Sequence, residues 1–77
     1  MSDMLYTIDQ VAQRVGVTKG TLRYWEVFYR VIPERSGGNH RRYSQTQLDV
    51  MLQIKALREE GFNGRGIKAR LLSEGVV

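Results

Sequence analysis

The chain has 77 residues, 42% of them hydrophobic, with a single proline. That is expected to make one small globular domain over residues 1–77, too short for a roomy catalytic cleft. It has no cysteine, so neither a disulfide framework nor a thiolate zinc site can add stability, which fits a reducing cytoplasm. No apolar run reaches membrane-spanning length, and the start MSDMLYTIDQ lacks the basic and apolar regions of a signal peptide.

The net charge of +4 is localised. Lys19, Arg23, Arg30, Arg35, Arg41 and Arg42 lie between Thr18 and Ser44, opposed only by Glu26 and Glu34, and the rest of the chain balances to zero. A surplus confined to one continuous third of the chain points to a surface that faces a polyanion.

TIDQVAQRVG opens the first helix. Thr7 and Gln10 have the spacing of a capping box, in which each side chain satisfies an orphan backbone donor. Ile8, Val11, Ala12 and Val15 form an apolar stripe, and Gly16 can stop the helix in a left-handed conformation. A second helix follows almost at once in TKGTLRYWEVFY, with Thr18 as its cap. Leu22, Trp25 and Tyr29 share one side, with Trp25 expected in the core, while Lys19, Gly20, Arg23 and Val27 share another, with Tyr24 at its edge. Two short helices on so tight a turn describe a helix-turn-helix, and the basic residues sit near the end of the second helix that usually meets base edges. Gly20 costs that helix roughly 1 kcal/mol relative to alanine, a cost that close approach of a partner to the backbone would explain.

The segment ERSGGNHRRYS comes next. Val31, Ile32 and Tyr43 favour strands, Pro33 suits an edge, and Gly37, Gly38 and Asn39 tolerate the positive φ of a tight turn. A two-stranded hairpin is expected, not a phosphate-cradling loop, which would need a strand leading into a helix with lysine and a hydroxyl at fixed places. After a helix-turn-helix, a hairpin bearing Arg35, His40, Arg41 and Arg42 reads as a wing that reaches phosphates or a minor groove.

A third helix is expected from a second capping box, Ser44 with Gln47, through Leu48, Met51, Leu52, Ile54 and Leu57 to a stop at Gly61, with Phe62 folding back on its last turn. Asn63 caps a fourth helix carrying Ile67, Leu71 and Leu72, which Gly64 and Gly66 weaken and tertiary packing must support. The expected fold is thus mostly α: a winged helix-turn-helix of four short helices with a two-stranded β-hairpin wing.

Leu22-Arg23-Tyr24-Trp25-Glu26, Arg41 with Tyr43 two positions on, and Gly61-Phe62 together resemble the DNA-binding domain of MerR-type regulators, over a span from Tyr6 to Leu72. The resemblance implies a bacterial-type, cytoplasmic, nucleoid-associated transcriptional regulator whose second helix enters the major groove while the wing lies on the adjacent backbone. Arg23 and Tyr24 match recognition positions, Arg41 matches the wing arginine, and Trp25 and Tyr43 match structural aromatics. His40 stands where the family often has an aromatic residue. Members normally continue into a coiled-coil helix and a sensing domain, whereas this sequence stops at Val77. It is read either as a DNA-binding domain alone or as one of the short relatives that bind side by side on repeats.

The candidate DNA-binding residues are therefore Thr18, Lys19, Thr21, Arg23 and Tyr24 on the helix and Arg35, His40, Arg41 and Arg42 on the wing. Lys55 is a candidate phosphate clamp at the flank. The expected partner is double-stranded DNA, with RNA polymerase or another copy of the chain as further candidates. No membrane partner, small-molecule ligand, cofactor or metal is expected. A lone histidine without a serine or cysteine partner and scattered carboxylates offer no catalytic residues and no enzyme activity. An architectural, excisionase-like role on DNA repeats and a protein-interaction module are the alternatives.

Overall fold

The computed structural model describes residues 5–36 and 40–75. It is mostly helical, with four helices in the order α1 (Ile8–Val15), α2 (Lys19–Phe28), α3 (Gln45–Glu59) and α4 (Gly64–Ser73). Between α2 and α3, two short strands, β1 (Glu34–Ser36) and β2 (His40–Arg42), pair antiparallel. Their register sets Glu34 opposite Arg42, Arg35 opposite Arg41 and Ser36 opposite His40. The tight turn expected at Gly37, Gly38 and Asn39 lies outside the described residues.

Local chemistry explains where the helices begin. The Thr7 hydroxyl accepts the Gln10 N–H at 3.1 Å while the Gln10 side chain accepts the Thr7 N–H at 2.9 Å. Ser44 and Gln47 repeat the exchange at the start of α3. Asn63 accepts the Gly66 N–H at 2.8 Å and caps α4. Each pairing removes an orphan donor from a first turn, which is worth about 1 kcal/mol.

The helix ends differ in kind. Gly16 closes α1 at φ 83°, a left-handed conformation that costs glycine nothing. After α2 the same kind of closure falls on Arg30, at φ 58°, and the Val31 N–H then bonds the Glu26 carbonyl at 3.0 Å. A side chain in that region costs about 1 kcal/mol.

The core forms where the helices converge. Val11, Leu22, Met51, Ile54, Ile67 and Leu71 are fully enclosed, and Trp25, Tyr29 and Tyr43 fill the space between them. Two apolar residues depart from the sequence reading. Leu52 and Leu72 face solvent, because Leu48, Met51, Ile54 and Leu57 on α3 and Ile67 and Leu71 on α4 already fill the shared interior. Phe62 is 41% exposed, its N–H turns back onto the Leu57 carbonyl of α3 at 3.1 Å, and its ring lies by Gly66 of α4.

Long-range polar contacts tie these elements together. Tyr6 and Tyr43 exchange backbone hydrogen bonds, each 2.8 Å, which pins the segment before α1 to the end of β2. The Tyr6 hydroxyl donates to Gln45 at 2.7 Å, and the Gln47 side-chain amide donates to the Ile32 carbonyl. Gln53 donates to Glu74 at 2.7 Å and so clasps α4 to α3. Glu74 also accepts from Arg70, and these two bonds, Gln53's first, hold its carboxyl below the ordinary range.

Candidate nucleic-acid interface

Only Gly16, Val17 and Thr18 separate α1 from α2. Thr18 caps α2 by accepting the Thr21 N–H at 3.1 Å, and the two threonine hydroxyls lie 2.9 Å apart. Both are therefore bound up in starting the helix. With no acidic side chain in its first turn, α2 presents a positive dipole end to solvent.

Once α2 buries Leu22, Trp25 and Glu26, helical periodicity turns Gly20, Arg23, Tyr24 and Val27 outward, and all four are exposed. Arg23 has no hydrogen-bond or ion-pair partner among the described residues. Tyr24, 61% exposed, stacks on Phe28 with centroids 5.7 Å apart and planes 14° off parallel. Phe28 in turn meets Tyr29 edge-on at 4.8 Å and carries the Lys68 ammonium over its ring at 5.3 Å. This stack braces Tyr24 while leaving its outer face open. Gly64 of α4 makes room for it: a Cβ there would stand 2.9 Å from Phe28 Cε2.

The other sequence candidates are placed differently. Lys19 is half-exposed and ion-paired with Asp9 of α1 at 3.1 Å. Lys55 donates to the Val15 carbonyl at 3.1 Å and pairs loosely with Glu59 at 3.8 Å. It serves the last turn of α1, where a cation complements the helix dipole. Arg42 is partly buried and already engaged within the protein. Arg35, His40 and Arg41 are located by the backbone of their strands, and their side chains lie outside what is described.

Two features escaped the sequence reading. Glu26 is buried on α2 and accepts a hydrogen bond from the Tyr43 hydroxyl just beyond β2, which joins the second helix to the strand pair. No local pattern could have matched two residues 17 positions apart. Arg30, counted in the basic surplus but given no role, is exposed at the exit of α2. It borders an open cleft lined also by Glu26, Val27, Val31, Ile32 and Pro33.

Among the described residues no group of three histidine, aspartate or glutamate side chains could hold a metal ion, and no helix is long and apolar enough to cross a membrane.

A four-helix body that opens with a tightly joined helix pair, the second helix presenting free cationic and aromatic side chains, defines the helix-turn-helix class. Within that class the family described as MerR HTH family regulatory protein matches residues 6–74, and this chain belongs to it. It is 45% identical over 60 residues to the transcriptional activator TipA of Streptomyces coelicolor, covering 77% of this chain and 24% of TipA. It is 37% identical over 68 residues to the transcriptional regulator GlnR of Bacillus cereus, covering 88% of this chain and 53% of GlnR. Both relatives are named as transcriptional regulators rather than enzymes.

Solved structures agree on the fold. A MerR-family transcriptional regulator from Bacillus cereus superposes with a TM-score of 0.81 at 28% identity, over 90% of this chain and 52% of its own. HiNmlR, a MerR family regulator lacking the sensor domain and bound to promoter DNA, gives 0.84 at 22% identity, over 95% of this chain and 56% of its own. The chain thus spans between a quarter and somewhat over half the length of these relatives.

Proposed function

We propose that residues 1–77 act as one winged helix-turn-helix unit that binds duplex DNA in a sequence-specific manner, as the DNA-binding part of a transcriptional regulator. The recognition helix is α2, with Arg23 and Tyr24 entering the major groove. Arginine is suited to this task because its planar donors meet guanine O6 and N7 together. The observation that carries the reading is the outward face of α2, where Arg23 is exposed and unpaired beside a braced Tyr24.

The strand pair acts as the wing. Its register sets Arg35 directly opposite Arg41, so two arginine positions share one level of the strand pair, and a local surplus of basic residues suits a polyanion alongside. Glu26 and Tyr43 hold wing and helix in one relation, which lets both engage a single duplex. Lys19 joins the contacts once a phosphate displaces Asp9. Thr18 and Thr21 support the helix start rather than read bases, and Lys55 supports α1. Such a role would place the chain at the nucleoid.

Titration of a labelled duplex with the chain at two salt concentrations tests the proposal. Affinity should fall steeply as salt rises, since each neutralised phosphate releases condensed counterions. Absence of binding, or binding indifferent to salt, would defeat it.

A further inference from the structure

Val27 stands on the outward face of α2, one turn beyond Arg23, and is 80% exposed. No other large apolar side chain among the described residues is more exposed. An aliphatic β-branched residue there gains nothing from burial and is a poorer helix former than alanine, lysine or arginine. Its one advantage is stiffness. With χ1 confined to essentially one rotamer in a helix, its methyl groups are held in place before any partner arrives.

We infer that Val27 is a specificity-determining residue that recognises the 5-methyl group of a thymine in the major groove. This inference rests on the DNA-binding reading given above. The thymine methyl is the apolar feature of the major-groove edge, and aliphatic side chains are its complement. The four residues from Arg23 to Val27 advance about 6 Å along the axis, close to two base-pair rises of about 3.4 Å. For a helix lying along the groove, the thymine therefore falls about two steps from the base that Arg23 contacts. Ile32, 78% exposed, lines the same cleft as Val27 and extends the apolar surface, and Arg30 at its border has no partner among the described residues. A backbone phosphate at the groove edge suits that guanidinium, so the left-handed strain at Arg30 is offset by a contact with DNA.

The test begins with selection of duplexes from a random pool by the wild-type chain, by Arg23→Ala and by Val27→Ala. Alanine at position 27 favours the helix and removes only exposed atoms, so the variant stays folded. Thymines in the wild-type site are then replaced one at a time by uracil, which lacks the methyl. At one thymine, about two steps from the position whose preference Arg23→Ala loses, uracil should weaken wild-type binding about fourfold, as expected for losing one buried carbon group. At that position Val27→Ala should bind thymine and uracil alike. The inference is overturned if uracil is tolerated everywhere by the wild type, or costs Val27→Ala as much. It is also overturned if both proteins select the same bases, the result expected were Val27 and Ile32 to dock another protein. Failure of the wild type to enrich any duplex would instead defeat the DNA-binding reading itself.

Discussion

The Tyr43 hydroxyl donates a hydrogen bond to the buried Glu26 carboxylate, linking the residue that follows β2 to the middle of α2. Because Tyr43 also bridges to Tyr6 through two backbone bonds, one residue fixes the strand pair, the second helix and the segment before α1 relative to one another. Tyr43→Phe keeps the ring in the core and removes only the hydroxyl. Losing the donor leaves a buried Glu26 oxygen without that partner, so stability should fall by about 2 kcal/mol. Urea unfolding measures this, and an unchanged midpoint would show that the bond contributes nothing.

Two glycines should respond oppositely to alanine. At Gly64 a new Cβ would stand 2.9 Å and 3.1 Å from atoms of the Phe28 ring, which Tyr24 and Tyr29 restrain on two sides. Gly64→Ala should therefore destabilise the protein by about 1 kcal/mol or more. At Gly20 the nearest atom to a new Cβ is Thr18 Oγ1 at 3.9 Å, so nothing in the fold requires glycine. Gly20→Ala should raise stability by up to about 1 kcal/mol. If a partner approaches the backbone there, the same change weakens duplex binding. Thermal unfolding together with a binding titration would reveal that exchange of stability for affinity.

Lys19 is held by Asp9 at 3.1 Å in a pair exposed on both sides. Asp9→Asn removes the competitor and one negative charge beside the positive end of α2. Duplex affinity at low salt should rise by up to about fivefold, the scale of an exposed ion pair. An unchanged or weaker affinity would mean that Lys19 takes no part in binding.

Much of the helical framework was legible because its signals are local. Thr7 with Gln10, Ser44 with Gln47, and Gly16 act within a turn of their own positions, so residue type and spacing suffice to read them. The inward set on α2 was equally plain from its period. What the sequence could not convey was who competes for each polar group. Thr18 and Thr21 read as candidate contacts and also serve the helix start, and Lys55 read as a clamp and also meets a carbonyl 40 positions away. Leu52 and Leu72 lie beside apolar stripes, yet neighbouring residues had already filled the interior. Residue type marks what a side chain can do, and only the fold decides whether it is still free to do it.

If α2 and the strand pair divide the labour of binding, fluorescence anisotropy on three proteins will separate their parts. Wild type, Arg23→Ala and Arg41→Ala would each be titrated with a selected duplex and a scrambled one, over salt from about 50 to about 200 mM. Arg23→Ala should lose affinity chiefly for the selected duplex. Arg41→Ala should lose affinity equally for both, with a salt slope shallower by about one. Identical behaviour of the two variants on both duplexes would contradict this division.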